Sequence, residues 1–203
     1  MSDSEQSSKA GRPRSQEAHQ AILNATLTLL AEIGFGALSI EQVAARARTG
    51  KTTVYRRWPS KEALVGDAIR SLQTDMPVID TGNLREDLLH MYRAAFQGLE
   101  ANPLIKPLYL RLFSEWSAGS DVFQVFLTQL ISPRFQQFTQ MVEKAQNRGD
   151  IRQDISPDTA VDLLIGPVLF RWLATNTLTQ TSDTSGFDSY LEQLADLVLQ
   201  CLA

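Results

Sequence analysis

Residues 50–61 of the chain read GKTTVYRRWPSK. Small polar, basic and aromatic residues are mixed here at helical spacing, and Pro59-Ser60 then restarts a helix. Six basic residues and no acidic residue lie between Arg46 and Lys61, although the whole chain has a net charge of −4. Positive charge concentrated on one element is typical of a face that binds phosphate.

The charge is distributed unevenly over the 203 residues. Residues 1–70 contain ten bases and seven acids, a net charge of +3, whereas residues 71–203 contain nine bases and sixteen acids, a net charge of −7. The acidic pI of about 5.2 therefore does not argue against a nucleic-acid ligand for the N-terminal third. A hydrophobic content of 43% indicates a folded chain with a real core.

Cysteine usage and hydropathy favour a cytoplasmic protein. The single cysteine, Cys201, cannot form a disulfide within the chain, and the polar N-terminus does not resemble a secretory signal. The longest apolar run, residues 163–170, is far shorter than the roughly 20 residues that span a bilayer.

The N-terminal third predicts a series of short helices. Gly34 ends the first helix, and Ser39 caps the second, with Gln42 completing a capping box. Residues 48–50 form a turn before the third helix, and Ser60 caps a fourth. Residues 1–13 have the composition of a disordered tail, in which Arg12 and Arg14 suit either a minor-groove arm or a solvated segment.

The rest of the chain is also helical in pattern. Asn83 with Glu86 opens one helix, Arg148-Gly149 ends another, and Ser156-Pro157 starts the next. No strand pattern competes, so the prediction is an all-α fold of about nine helices. Its parts are the tail 1–13, a helix-turn-helix domain over 14–74 and a larger helical domain over 83–203.

Three short helices with a tight turn before the third describe a helix-turn-helix, whose third helix enters the major groove of DNA. Lys51 can donate to guanine, Thr52 and Thr53 can contact bases, and charged residues can reach phosphates. The predicted DNA-binding residues are Ser39, Arg48, Lys51, Thr52, Thr53, Tyr55, Arg56, Arg57 and Lys61.

The stretch from about Arg14 to Leu64 resembles the DNA-binding domain of the TetR/AcrR family of transcriptional regulators. The residues that carry the resemblance are Ile22-Leu23, Gly34-Phe35, Leu38-Ser39-Ile40, Val43-Ala44, Ala47, Lys51, Thr53-Val54-Tyr55 and Trp58 to Leu64. The resemblance implies a two-fold dimer with a helix-turn-helix at each N-terminus and an inducer-binding C-terminal domain.

The chain departs from the family pattern at the turn. Arg48 and Thr49 stand where the family usually has glycine and an aliphatic residue, and Gly50 stands where it often has a serine cap. A non-glycine residue costs energy at positive φ, so a slightly strained turn is expected, with Thr49 as an alternative cap. Gly50-Lys51-Thr52 ends like a phosphate-binding P-loop, but Ala45 replaces the first glycine and no strand precedes it.

The C-terminal domain is rich in large apolar residues. Together with the family resemblance they suggest a pocket for an apolar or aromatic small molecule, although each residue alone suits an ordinary core. The candidate lining residues are Tyr92, Phe96, Phe113, Trp116, Phe138, Met141 and Phe170. The resemblance also implies that the last two helices pair across a two-fold axis through Leu163, Leu164, Pro167, Phe170, Leu191, Leu194 and Val198.

The sequence therefore predicts a homodimeric DNA-binding regulator, a repressor released from its operator by a small-molecule effector. No catalytic, cofactor or metal site is predicted, because His19 and His90 fall in different domains without zinc spacing. One alternative is a DNA-binding or architectural protein without an inducer. Another is a helical enzyme or carrier whose basic cluster binds a phosphorylated small molecule.

Overall fold

The computed structural model describes residues 11–73, 79–116, 121–174 and 185–203, with side chains except at 11–14, 115–116 and 185–186. All elements in these ranges are helical. They are α1 (Gly11–Ala37), α2 (Ile40–Arg46), α3 (Lys51–Tyr55), α4 (Lys61–Arg70), α5 (Leu84–Glu100), α6 (Ile105–Trp116), α7 (Asp121–Phe126), a π-helical segment (Leu127–Ile131), α8 (Ser132–Arg148), α9 (Pro157–Ala174) and α10 (Ser185–Leu202). The all-α prediction is confirmed.

The chain forms two compact units whose borders differ from those expected. Unit 1 comprises Met1–Gln73 and Pro107–Leu130, and unit 2 comprises Thr74–Lys106 and Ile131–Ala203. The sequence assigned 107–130 to the C-terminal domain, but α7 packs against α4. The reason is that α4 has a second apolar face. Gly66 on α4 lies close to Val125 on α7: a Cβ added at Gly66 would be 3.7 Å from the Val125 side chain.

Helix α1 begins earlier than the sequence indicated. Its first residue is Gly11, so residues 11–13 are helical, whereas the sequence assigned them to a disordered tail. Residues 1–10 lie outside the described part of the chain, and so do the side chains of Arg12 and Arg14. The proposed minor-groove contact of these two arginines therefore stays a prediction.

The core of unit 1 is built on α1, which packs against both α2 and α4, while α2 also packs against α3. Ile22, Leu30, Val43, Val54 and Leu64 are among its fully buried residues. Their spacing of three or four along each helix places them on one inward face. Burial of these faces leaves the opposite face of α3 toward solvent.

Gly34 interrupts α1 as the sequence predicted. Its φ of 77° and ψ of 172° belong to a region that is essentially restricted to glycine. Two cations bind backbone carbonyls on either side of this break: Arg111 donates to the Ile33 carbonyl at 2.8 Å, and Lys61 donates to the Phe35 carbonyl at 2.9 Å.

We expect Gly34→Ala to destabilise unit 1 by about 1–3 kcal/mol, because a Cβ is poorly tolerated at these dihedral angles. Urea denaturation followed by circular dichroism would measure the loss. Gly36→Ala is the matched control, since a Cβ at Gly36 meets nothing within 4 Å. A Gly34→Ala protein as stable as the Gly36→Ala protein would contradict the assignment of strain to Gly34.

Unit 2 packs α10 against α5 and α9, and α8 against α9. Its buried cluster includes Leu88, Tyr92, Val142, Leu164 and Leu191. The caps read from sequence are present: the Asn83 side chain accepts a hydrogen bond from the Glu86 amide, and Gly149 ends α8 with a φ of 87°. Pro167 lies inside α9.

Ion pairs fasten the outer faces of α5 and α10 together. Arg85 pairs with Asp196, and Arg93 pairs with Asp188 and Glu192. The guanidinium of Arg85 holds the pKa of Asp196 below its usual value through a hydrogen bond. These pairs are exposed to solvent, so their contribution to stability is small.

None of the helices in the described ranges is both long and apolar enough to cross a membrane. Within those ranges no group of three or more His, Cys, Asp or Glu side chains could hold a metal ion.

Candidate nucleic-acid interface

The start of α2 is fixed by reciprocal hydrogen bonds. The amide of Gln42 donates to Ser39 Oγ at 3.3 Å, and the amide of Ser39 donates to Gln42 Oε1 at 2.8 Å. This capping box was predicted from the sequence and is confirmed. It uses the Ser39 hydroxyl as an acceptor, so the half-buried Ser39 acts first as a helix cap.

The turn between α2 and α3 has the hydrogen bonds of a Schellman motif. The Thr49 amide donates to the Ala44 carbonyl at 2.9 Å, and the Arg48 amide donates to the Ala45 carbonyl at 3.2 Å. Arg48 occupies the left-handed position, with a φ of 52°. Glycine is preferred at such dihedral angles, so the strained turn expected from having Arg48 at this position is confirmed. The Arg48 side chain is exposed, so the turn presents a positive charge shortly before α3.

Helix α3 is capped by Gly50, which supplies no side-chain hydrogen bond. The alternative cap at Thr49 is therefore wrong, since Gly50 holds the extended conformation of the N-cap residue. The absence of a side chain at this position leaves the first turn of α3 open to solvent, with Lys51 and Thr52 exposed.

One face of α3 is outward and polar. Lys51, Thr52, Tyr55 and Arg56 are all exposed, and their spacing of one, four and five residues places them side by side. Val54 is fully buried on the opposite face, and Thr53 is half-buried. Tyr55 is 49% exposed, so its hydroxyl and part of its ring are open to solvent. The face combines hydrogen-bond donors with positive charge.

Two residues predicted to bind phosphate form hydrogen bonds within unit 1, and their contact with DNA stays a prediction. Arg57 Nη2 donates to the Ser15 carbonyl at 2.9 Å and to Ser15 Oγ at 2.7 Å. Lys61 donates to the Phe35 carbonyl, and its Nζ lies 4.2 Å from the centre of the Phe35 ring. Both side chains are half-buried. They join α1 to the following helices, and the sequence could not show this because their partners are distant in the chain.

Trp58 fixes the far end of α3. Its side chain is 5% exposed, and Nε1 donates to Asp67 Oδ2 at 2.9 Å. The His19 ring stacks on it with ring centres 5.1 Å apart. Trp58 therefore holds α3 against α1 and α4, which sets the orientation of the exposed face.

The sequence reading missed one residue of this surface, Glu41. Its Oε1 lies 3.1 Å from Lys51 Nζ, and both side chains are exposed. The pKa of Glu41 lies below its ordinary value, first because of a hydrogen bond from its own backbone amide and then because of Lys51. The sequence did contain one indication of this residue: Glu41 is an acid in the first turn of α2, the helix before the basic helix α3.

The candidate ligand residues fall in both units. Tyr92, Phe138 and Met141 are buried in the core of unit 2, where the Tyr92 hydroxyl donates to the Leu164 carbonyl at 2.7 Å. Burial raises the pKa of Tyr92, so this hydroxyl stays protonated as a donor. Phe96 is half-buried and stacks on Phe187 with ring centres 4.0 Å apart.

The other candidate ligand residues are placed differently. Phe113 belongs to unit 1, where it contacts Tyr109 and Phe123. The side chain of Trp116 lies outside the described residues. Phe170 is 67% exposed in the single chain, and its assignment to a pocket lining stays a prediction.

The candidate dimer residues divide by exposure. Leu164, Leu191 and Val198 are buried in the core of unit 2, and their assignment to a face between subunits stays a prediction. Pro167 and Leu194 are half-buried. The exposed apolar residues of α9 and α10 are Leu163, Phe170 and Leu197, of which the sequence reading named the first two.

This geometry defines a helix-turn-helix protein with a cationic, outward third helix. Residues 22–68 match the family model described as bacterial regulatory proteins, tetR family. Residues 78–198 match the model described as tetracyclin repressor-like, C-terminal domain. The chain belongs to the TetR family and is a DNA-binding transcriptional regulator.

Three relatives illustrate the similarity. The uncharacterized HTH-type transcriptional regulator YdeS of Bacillus subtilis is 33% identical over 83% of this chain and 84% of that protein. The DNA-binding transcriptional repressor TetR of Mycobacteroides abscessus is 31% identical over 70% of this chain and 75% of that protein. The solved TetR family transcription regulator SCO0332 is 27% identical, covers 92% of this chain and 99% of its own, and superposes with a TM-score of 0.60.

Proposed function

We propose that this regulator is a homodimeric repressor that binds an inverted-repeat operator and is released by a small apolar or aromatic effector. The observation that carries the proposal is the outward face of α3, where Lys51, Thr52, Tyr55 and Arg56 are exposed together. Lys51 and Thr52 read base edges in the major groove, while Arg48 and Arg56 contact flanking phosphates. The similarity to a protein named a transcriptional repressor supports the sign of regulation.

A dimer supplies the second reading head. Leu163, Phe170 and Leu197 expose apolar surface on α9 and α10, and such surface is stabilised when two copies bury it together. Two recognition helices then meet successive major grooves about 34–36 Å apart. The operator is accordingly expected to be two inverted half-sites about 10 base pairs apart, centre to centre.

The effector is proposed to bind in unit 2, beside Phe96. Its ring is half-buried and stacks on Phe187, unlike the fully enclosed rings of Tyr92 and Phe138. An effector changes DNA affinity only through its different affinity for the DNA-bound and released conformations. An aromatic or apolar compound suits this surface because it gains by stacking and by loss of water contact.

The experiment that tests this function is selection of random duplex DNA by the full-length protein, followed by sequencing. We expect enrichment of one inverted repeat, because both subunits present the same face of α3. The enriched duplex is then used as a probe while a panel of aromatic and aliphatic compounds is added. An inducer should release the probe and raise the melting temperature of the free protein, since it binds the folded state.

Three outcomes would change the proposal. Retention of DNA without an enriched sequence would favour an architectural protein. An enriched sequence that no compound releases would favour a regulator without a small-molecule inducer. Binding that weakens only slightly with salt would contradict a multi-phosphate interface, because each phosphate contact contributes a log–log slope of about −0.9.

A further inference from the structure

The ion pair between Glu41 and Lys51 joins the helix before the turn to the reading helix. Lys51 is the first residue of α3, and Glu41 lies in the first turn of α2. The two charged atoms are 3.1 Å apart, and 59% of the Lys51 side chain and 48% of the Glu41 side chain are exposed. An exposed pair of this kind is weak, and the Lys51 ammonium has three N–H donors, so it can bond a DNA group while the carboxylate stays beside it.

Glu41 is also an unfavourable charge for a DNA-binding surface. The neighbouring residues 46–61 carry six bases and no acid, so this carboxylate stands at the edge of the positive field that attracts phosphates. The pKa of Glu41 lies below its ordinary value, chiefly through a hydrogen bond from its own backbone amide, so it stays ionised at neutral pH. An ionised carboxylate here repels the phosphate backbone of every DNA sequence alike.

We propose that Glu41 is a specificity-determining residue, which holds Lys51 by an ion pair and weakens binding to DNA that offers Lys51 no base partner. The inference rests on the DNA-binding face proposed above. On the operator, Lys51 donates to a base, and the nearby carboxylate keeps the ammonium in position. On other sequences Lys51 stays paired with Glu41, so one cation is neutralised while the repulsion of phosphate persists.

The two kinds of complex therefore depend on Glu41 differently. Non-specific binding comes almost wholly from charge, so it gains the full benefit when the carboxylate is removed. When the carboxylate is removed, operator binding also gains from the lost repulsion, but Lys51 is no longer held in position for its base. We expect Glu41→Gln to tighten binding to a scrambled duplex by about fivefold and to the selected operator by less than twofold. The ratio of operator affinity to scrambled-duplex affinity should therefore fall by at least about 2.5-fold.

Fluorescence anisotropy with the operator and a scrambled duplex of equal length, at one fixed salt concentration, measures this ratio. Glu32→Gln is the matched control, because Glu32 is also an exposed acid paired with a base, Arg46, at 2.7 Å in the same unit. The control removes the same charge away from the face of α3, so the ratio should be unchanged. Circular dichroism of both variants confirms that the helices are retained.

A double-mutant cycle tests whether Glu41 acts through Lys51. In a Lys51→Ala background, Glu41→Gln should change the affinities for both duplexes by the same factor, because no ammonium remains to be held. Equal changes on the two duplexes in the native background would overturn the proposal and leave only a general field effect. If the wild-type protein enriches no sequence at all, the proposed operator recognition fails first. If it enriches one and Glu41→Gln leaves the ratio unchanged, the inference on Glu41 alone fails.

Discussion

Replacing Trp58 by alanine is expected to destabilise unit 1 by about 3–5 kcal/mol and to abolish DNA binding. The indole is 5% exposed: Trp58 follows α3 by three residues, stacks on His19 of α1 and donates to Asp67 of α4. Its removal leaves a cavity the size of two fused rings, and the carboxylate of Asp67 loses one of its two donors. Since α3 has only five residues, it has little stability without this anchor.

Urea denaturation followed at 222 nm measures the effect, because fluorescence would change with the removal of a tryptophan itself. Tyr55→Ala is the matched control: it removes an aromatic side chain three residues earlier, from a position that is 49% exposed. We expect the stability of Tyr55→Ala to change by no more than about 0.5 kcal/mol. A Trp58→Ala loss below about 1 kcal/mol would show that α3 is held by other contacts.

Replacing Lys51 or Arg56 by alanine should weaken operator binding in two distinguishable ways. Lys51 begins the reading helix, and loss of a base contact costs about 1–3 kcal/mol, which is roughly 5-fold to 150-fold in affinity. Arg56 lies at the C-terminal end of α3, where it is placed to contact phosphate. Its removal should weaken every duplex by a similar factor and reduce the log–log salt slope by about 1. Sequence discrimination should therefore fall for Lys51→Ala and persist for Arg56→Ala.

Anisotropy titrations of the selected operator and its single-base variants, at several salt concentrations, separate these effects. Arg93→Ala is the charge control, because it removes one cation from unit 2, where Arg93 pairs with Asp188 and Glu192. Its affinity for DNA should stay within about twofold of the wild type. A Lys51→Ala protein that weakens on all duplexes equally would reassign Lys51 to phosphate contact.

The prediction from sequence was most reliable where the signal is local. A cap depends on residues three apart, so Ser39 with Gln42 and Asn83 with Glu86 were readable directly. Positive φ at Gly34 and Gly149 follows from the freedom of a residue without a Cβ. The burial of Val54 in α3 and of Trp58 just after it followed from their spacing of four residues.

The roles of charged residues were less predictable. Arg57 and Lys61 are as basic as Arg56, yet they bind backbone carbonyls 42 and 26 residues away in the chain. Glu41 was overlooked because its partner Lys51 becomes adjacent only when the turn folds. A basic residue contributes the same charge and occupies the same helical position in the sequence whether its side chain binds phosphate, a carboxylate or a carbonyl. Only the three-dimensional neighbours separate these cases.

The sequence by itself determined the helical class, the capped starts of α2, α4 and α5, the turn before α3 and the concentration of positive charge around it. These features arise from hydrogen bonds and dihedral preferences within a few residues, together with a count of charges. The tertiary structure decided that residues 107–130 pack with the N-terminal helices, that Phe170 is exposed while Leu164 is buried, and which cations remain outward. Those outcomes depend on contacts between distant segments, and a side chain's burial is decided by which helix packs against it.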